Sequence, residues 1–263
     1  MSGHLGTTMT VRAPDGRTPV DVLRVDLYAP VASFRDPMFP RVARCLPVPP
    51  PSTVRGMLAA SSGRAHELVV LGMAASSSGQ GVDLETYHPI AADGSNPAVG
   101  GRVRTVKGGA TVRERPFLTD VRLTLWIPEP DGRRLEATLR RPVWGLRLGR
   151  SQDLVQIVGT PRWTVLHPVD EATDEVRVGH ALAPPDGHRA REAVSLRLAE
   201  TVSVDRLRTE YGSYLWCREP AGRQRVGGAA YRDGDQAVWL FGATDPAEHP
   251  ERSAAGLGNE VDG

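Results

Sequence analysis

The chain has 263 residues, of which 40% are apolar and 24% charged, with a formal net charge of +1. That composition suits one large globular domain or two small ones and excludes wholesale disorder. The longest apolar run, residues 68–75, holds eight residues including a glycine, well short of the roughly twenty that a membrane helix needs.

Two cysteines, Cys45 and Cys217, are too few for a disulfide framework or a zinc finger and read as small buried thiols. Residues 1–19 are polar and rich in Gly and Thr, so they read as a disordered leader and not as a secretory signal. A cytoplasmic location and no membrane partner are the expectation. The near-neutral total hides an uneven distribution. Lys107 is the one lysine among 32 basic residues, the rest being arginine. Residues 101–150 hold twelve basic residues against five acidic ones, and residues 33–64 hold five arginines against Asp36 alone. Residues 231–263 reverse the sign, with two arginines and seven acids. A GC-rich genome explains an arginine bias but not its placement. Two basic stretches suggest a polyanion on one face of the protein.

The first strand is expected over residues 20–28, where Leu23, Val25 and Leu27 alternate with Arg24, Asp26 and Tyr28. A proline-punctuated loop follows and ends in Pro49-Pro50-Pro51. Ser52-Thr53 then opens a helix, because a hydroxyl after a proline run can take up an unpaired N–H. Val54, Met57 and Leu58 form its apolar stripe, and Gly56 inside it implies that something approaches the backbone. Residues 68–75 predict a buried strand. Residues 76–115 are rich in Gly and Ser and basic in their second half, which predicts a projecting hairpin rather than a structureless loop. Val121, Leu123, Leu125 and Ile127 mark the clearest strand. Residues 133–141 predict a short helix and residues 143–148 a further strand. Beyond them, a helix around residues 189–198 and late strands near Tyr214 and Val238 are expected.

The order strand, helix, strand, insertion, strand, helix, strand is the split βαβ arrangement of a ferredoxin-like α+β domain with an antiparallel sheet, a common RNA-binding platform. The expected organisation is a leader over 1–19, an RNA-binding domain over 20–165 with its insertion at about 78–115, a mostly β extension over 166–242 and an acidic disordered tail over 243–263.

Two sequence blocks narrow the reading. The first runs from Ala32-Ser33-Phe34-Arg35 and Pro37 to Leu46-Pro47-Val48-Pro49-Pro50-Pro51-Ser52-Thr53-Val54-Arg55-Gly56-Met57-Leu58. The second runs from Arg115-Pro116-Phe117-Leu118 to Leu148-Gly149-Arg150-Ser151-Gln152-Asp153-Leu154-Val155. Together, around a basic insertion, they resemble CRISPR-associated protein family five, within the superfamily of repeat-associated mysterious proteins. The pattern looks closest to subtype I-B. The resemblance implies a non-catalytic subunit of the type I surveillance complex, Cascade. Such a subunit caps the 5′ handle of the CRISPR RNA and projects a thumb-like hairpin onto the adjacent backbone subunit. It also implies contact with the large subunit, and with target DNA only through the complex.

Candidate RNA contacts follow from that resemblance together with residue chemistry. Ser52 and Thr53 would offer a phosphate seat at a helix start, with Arg55 one turn in. Phe34 reads equally as a core plug or a stacking platform, and Arg35 as phosphate-facing. Arg102, Arg104, Lys107, Arg113 and Arg115 flank glycine pairs in the insertion, and Arg147 and Arg150 form a second basic turn. Trp126 and the group Tyr211, Tyr214 and Trp216 read mainly as packing residues. Catalysis is the rival reading: a metal-independent endoribonuclease cutting CRISPR repeats would draw on Tyr87, His88 and Lys107 for acid–base work. No cofactor or metal is expected, since Asp83 and Glu85 have no His or Cys cluster beside them.

Overall fold

A computed structural model describes residues 10–39, 43–87, 90–96, 102–105 and 111–246. In chain order, β1 (Thr10–Val11) leads to β2 (Val20–Ala32), α1 (Pro51–Ser62) and β3 (Gly72–Ser76). Then come β4 (Gly79–Tyr87), β5 (Ile90–Asn96), β6 (Arg102–Thr105), β7 (Thr111–Pro128) and α2 (Asp131–Arg140). The remainder is all strand: β8 (Gln156–Ile157), β9 (Arg162–Pro168), β10 (Val176–Val178), β11 (Ala193–Val202), β12 (Thr209–Cys217), β13 (Gly222–Gln224), β14 (Tyr231–Asp233), β15 (Gln236–Val238) and β16 (Ala243–Thr244). The described protein is therefore mostly β, with α1 and α2 as its helices.

The main sheet runs β13-β10-β15-β14-β9-β2-β7-β3, antiparallel except for β10 against β15, with β8 also on β2. Its centre is the pair β2–β7, in register from Val22–Pro128 to Ala32–Leu118. Both strands alternate apolar and polar residues, so one face can be buried without stranding a charge. Leu23, Val25, Leu27, Leu123, Leu125 and Ile127 enter the largest core cluster, where they meet Val54, Met57 and Leu58 of α1 and Leu135 and Leu139 of α2. Trp126, on the other face, is buried and its indole N–H donates to Asp233 at 2.9 Å. Tyr214 and Trp216 are core residues too, whereas Tyr211 is half-buried beneath Arg197.

Helix α1 starts one residue before the expected hydroxyl. Pro50 is its N-cap, Pro51 its first residue, and no side chain caps it. Proline serves there because its fixed φ matches a helix and its missing N–H would have no partner anyway. Gly63, at φ +74, ends the helix in the left-handed conformation that favours glycine. A Cβ at Gly56 would meet nothing within 4 Å, so among the described residues nothing makes the expected close approach to that glycine.

Three expected elements differ. Residues 143–148 form no strand: Pro142 and Gly145 interrupt them, and the Val143 and Trp144 N–H groups donate to the Ser61 and Ala60 carbonyls at the end of α1. The fourth strand beside β2 is β9, further along the chain. Residues 189–198 supply a strand, β11, because Val194, Leu196 and Leu198 alternate and pair with β12 in the register Val194–Trp216 to Leu198–Gly212. Finally, Thr10–Val11, within the segment read as a disordered leader, pairs with Ala243–Thr244 of the segment read as a tail. The rest of that leader and the end of that tail lie outside the described residues.

A second core cluster lies under the C-terminal strands, where Trp239 packs with Val178, Ala183 and Cys217. His188 is buried against Trp239 at 5.8 Å. Its Nδ1 accepts the Ala190 N–H at 3.2 Å, while Nε2 has no hydrogen-bond partner among the described residues. Burial pushes the His188 pKa below its ordinary 6.5. The unfolded chain therefore takes up a proton that the folded chain resists, and stability falls as pH drops below about 6.5. We predict a slope of up to about 1.4 kcal/mol per pH unit from this residue, abolished in His188→Phe. Chemical denaturation at several pH values below neutrality measures it, and an unchanged slope in the variant refutes it.

Candidate nucleic-acid interface

The long strand β7 leaves the sheet and continues, paired with β4, as a two-stranded hairpin from Gly79–Thr119 to Tyr87–Thr111. Directly opposed residues share a face. One face therefore carries Asp83, Glu85, Arg113, Arg115 and Phe117, and the other carries Val82, Leu84, Thr86, Val112, Glu114 and Pro116.

The charged face is anchored by a junction at the hairpin root. Asp153 is buried, and its Oδ2 accepts the Ser33 N–H at 3.0 Å and the Arg150 N–H at 3.0 Å. The Arg150 Nε lies 3.1 Å from both oxygens of the same carboxylate. Its Nη1 reaches Glu85 at 2.9 Å and Asp83 at 3.2 Å. Arg115 donates from Nε to the Ser33 hydroxyl at 3.0 Å, and that hydroxyl donates to the Pro116 carbonyl at 2.8 Å. Burial opposes the charge on Arg150, but hydrogen bonds to Asp153 and Glu85 outweigh it and hold its pKa above the ordinary value. Gly149 is required here: its φ is +109, and a Cβ would lie 2.6 Å from the Ser33 carbonyl.

Arg55 makes a second junction. It is 4% exposed, and its guanidinium donates to the carbonyls of Val69, Glu200 and Gly242, with Nη distances of 2.7 Å to Glu200 and Gly242. It ties α1 to the strand β11 and to the segment before β16. Beside it, Ser52, Thr53 and Gly56 line a cleft of about 360 Å³ closed on the far side by Thr201, Ser203 and Arg206.

The expected RNA contacts are thus separated by the fold. Arg55 is enclosed among carbonyls, and Arg150 is held by three carboxylates. Phe34 is a core residue, not a stacking surface, and its N–H donates to the Cys45 sulfur. Ser52 and Thr53 are half-exposed at the mouth of the α1 cleft. Arg35, next to Ser33-Phe34, Arg113 on β7 and Arg147, in the loop before Arg150, are exposed, and Arg115 on β7 is half-buried. Arg102 and Arg104 lie on β6, Arg104 opposite Ala91 on β5. Lys107 and His88 lie outside the described residues, and Tyr87 is described only as backbone at the end of β4. The carboxylates Asp83 and Glu85 engage Arg150 rather than stand as a bare pair. Sequence reasoning missed Ser33 and Asp153 as partners, although both lie inside the blocks already singled out. It also missed the apolar outer face of the hairpin, which the alternation Val82, Asp83, Leu84, Glu85 signals.

The family model described as CRISPR-associated protein (Cas_Cas5) matches residues 22–214. The chain belongs to this family of CRISPR-associated proteins. Similar solved structures include one titled as a CRISPR RNA-guided surveillance complex, at 18% identity, TM-score 0.47, 88% of this chain and 95% of that one. Another is a CRISPR protein from Archaeoglobus fulgidus, at 13% identity, TM-score 0.42, 85% of this chain and 100% of that one. A third, described as a Cas protein, matches at 17% identity, TM-score 0.38, with 78% and 97% covered. No curated protein matches the sequence.

Removing the Asp153 carboxylate leaves two main-chain donors and the buried Arg150 without their shared acceptor. Asp153→Ala is expected to cost about 3 kcal/mol and to loosen the hairpin root, so that proteolysis near residues 79–87 accelerates. Thermal melts and limited proteolysis test this. A variant as stable and as resistant as the wild type would show that the junction is dispensable.

Proposed function

We propose that this protein is a non-catalytic subunit of a type I CRISPR surveillance complex, Cascade, that binds and caps the 5′ handle of the CRISPR RNA. The observation that carries the reading is the hairpin root. There, Arg35, Arg113 and Arg147 are exposed around a junction built from the same sequence blocks that define the family. Arginine suits an RNA backbone because its planar fork grips a phosphate at two points and stacks on bases. Arg115 borders this surface, and the reading adds Ser52 and Thr53 at the α1 cleft and Arg102, Arg104 and Lys107 of the insertion as further RNA contacts. Arg55, Arg150 and Phe34 position the surface and do not touch RNA.

The outer hairpin face supports a protein partner. Val82, Leu84 and Val112 are 58%, 68% and 64% exposed, an apolar stripe on a thin ribbon that no other described residue covers. A thumb pressed on the backbone subunit would bury it. We read the underlying domain as ferredoxin-like. The order β9-β2-β7-β3, with α1 after β2 and α2 after β7, supports that reading. The Ser33-Phe34-Arg35 and Pro50-Pro51-Ser52-Thr53 pattern favours subtype I-B, in which contact with the large subunit and, through the complex, with target DNA would follow.

Incubating the purified chain with labelled CRISPR-repeat RNA in EDTA tests the proposal. Binding without cleavage is expected, and affinity should fall with added salt at a log–log slope of about −0.7 for each phosphate neutralised. A discrete product that disappears in Tyr87→Phe or His88→Ala would instead establish an endoribonuclease. Leu84→Asp should reduce recruitment into the complex while leaving RNA affinity intact; undiminished recruitment would remove the stripe from the interface.

A further inference from the structure

Of the five tryptophans, Trp126, Trp216 and Trp239 are buried and Trp163 is half-buried under Arg133. Trp144 is 65% exposed. It stands on the loop after α2, and that loop is not loose. The Trp144 and Val143 N–H groups donate at 3.1 and 3.0 Å to the Ala60 and Ser61 carbonyls, Leu146 and Leu148 are buried, and the Val155 N–H donates to the Leu146 carbonyl at 3.1 Å. The backbone under the indole is therefore clamped while the ring faces solvent. A Cβ at the adjacent Gly145 would meet nothing within 4 Å apart from its chain neighbours, so no other described residue crowds this point of the loop.

The arginines near this loop in the sequence fall into two groups. Arg133 pairs with Glu129 and Arg140 with Glu136. Arg141 and Arg147, on either side of Trp144 in this loop, are exposed, and their side chains make no hydrogen bond or ion pair with any described residue. Two exposed arginines three residues to either side of an exposed indole, on a hydrogen-bonded loop, match a ligand that alternates anionic phosphates with flat bases. At the core of a protein interface the same two cations would be desolvated without a counter-charge, which is costly.

We infer that Trp144 is a stacking platform for an unpaired base of single-stranded RNA, with Arg141 and Arg147 gripping the flanking phosphates. The inference rests on the RNA-binding reading above and deepens it. It extends the RNA path from the hairpin root, through Arg147, across the loop that packs on the end of α1. It also assigns this stretch to an unpaired segment, because a base held in a duplex has no free face to offer.

The test uses the full chain, a labelled single-stranded CRISPR-repeat RNA and a duplex of the same sequence. Trp144 is the accessible indole, so a collisional quencher such as acrylamide reports on it. Single-stranded RNA should shield it and the duplex should not. Trp144→Ala should weaken single-strand binding on the order of tenfold to a hundredfold, Trp144→Phe should restore most of it, and Arg141→Ala and Arg147→Ala should each flatten the salt slope by about 0.7. If the wild type binds RNA and Trp144→Ala binds equally well, the platform is refuted while the RNA reading stands. If Trp144→Ala binds RNA normally but fails to enter the surveillance complex, the patch is a protein contact and the inference is overturned. If the wild type binds no RNA, alone or in the complex, both fall together.

Discussion

A single buried carboxylate organises the hairpin root, on which the proposed RNA surface depends. Asp153 accepts N–H groups from Ser33 and Arg150 and pairs with the Arg150 side chain. Burying a carboxylate is costly unless its charge and lone pairs are met, and here they are met from two chain segments at once. Through Arg150 the same carboxylate reaches Asp83 and Glu85 on the hairpin, and through Ser33 it reaches Arg115. The loop after β2, the turn before β8 and both hairpin strands are thereby fixed to one point. Gly149 admits the close approach of the turn to Ser33 that this requires.

Arg55 plays the corresponding part on the C-terminal side. Its fork meets carbonyls from three segments distant in sequence, a task for which a lysine, with one compact ammonium, has the wrong shape. Burial lowers its pKa, yet an arginine starts so far above neutrality that it stays charged. Glu67 is a mirror case. Burial disfavours its carboxylate, but hydrogen bonds from Arg134 and Ser62 outweigh burial and hold its pKa below the ordinary value. In each case a buried ion is tolerated because several polar groups converge on it, and each convergence locks a helix to a neighbouring element.

Periodicity made the centre of the fold legible. β2, β7 and both helices follow directly from where Leu23, Val25, Leu123, Leu125, Leu135 and Leu139 fall. It failed where a short apolar run fits two periods. Residues 189–198 satisfy a helix only loosely, while Val194, Leu196 and Leu198 satisfy a strand fully once β12 is present to pair with them. Residues 143–148 have strand-like composition, but the nearest unsatisfied acceptors are the last carbonyls of α1, and those win the N–H groups. The pairing of β1 with β16 joins opposite ends of the described chain and has no local signature. At the candidate site, residue types singled out the blocks in which Ser33, Asp153 and Arg150 meet but not the contacts among them. Whether an arginine faces solvent or an acid depends on contacts between blocks, which no single stretch of sequence records.

This bears on how a basic stretch should be weighed. The excess of arginine over residues 101–150 suggests one broad positive surface, yet Arg134 and Arg150 are engaged with buried acids, and Arg133 and Arg140 with acids on α2 or just before it. Among the exposed arginines of the chain are Arg35, Arg113, Arg141 and Arg147, and the exposed Trp144 shares a loop with the last two; the proposed RNA surface is read as a narrow track through them. A narrow track with an aromatic step suits a single strand whose bases can turn outward better than it suits a rigid duplex, which presents phosphates on two ridges. Arg150 and Arg134 are no less necessary to the proposed surface than its exposed arginines, because they fix the hairpin, the turn and α2 to the body of the fold.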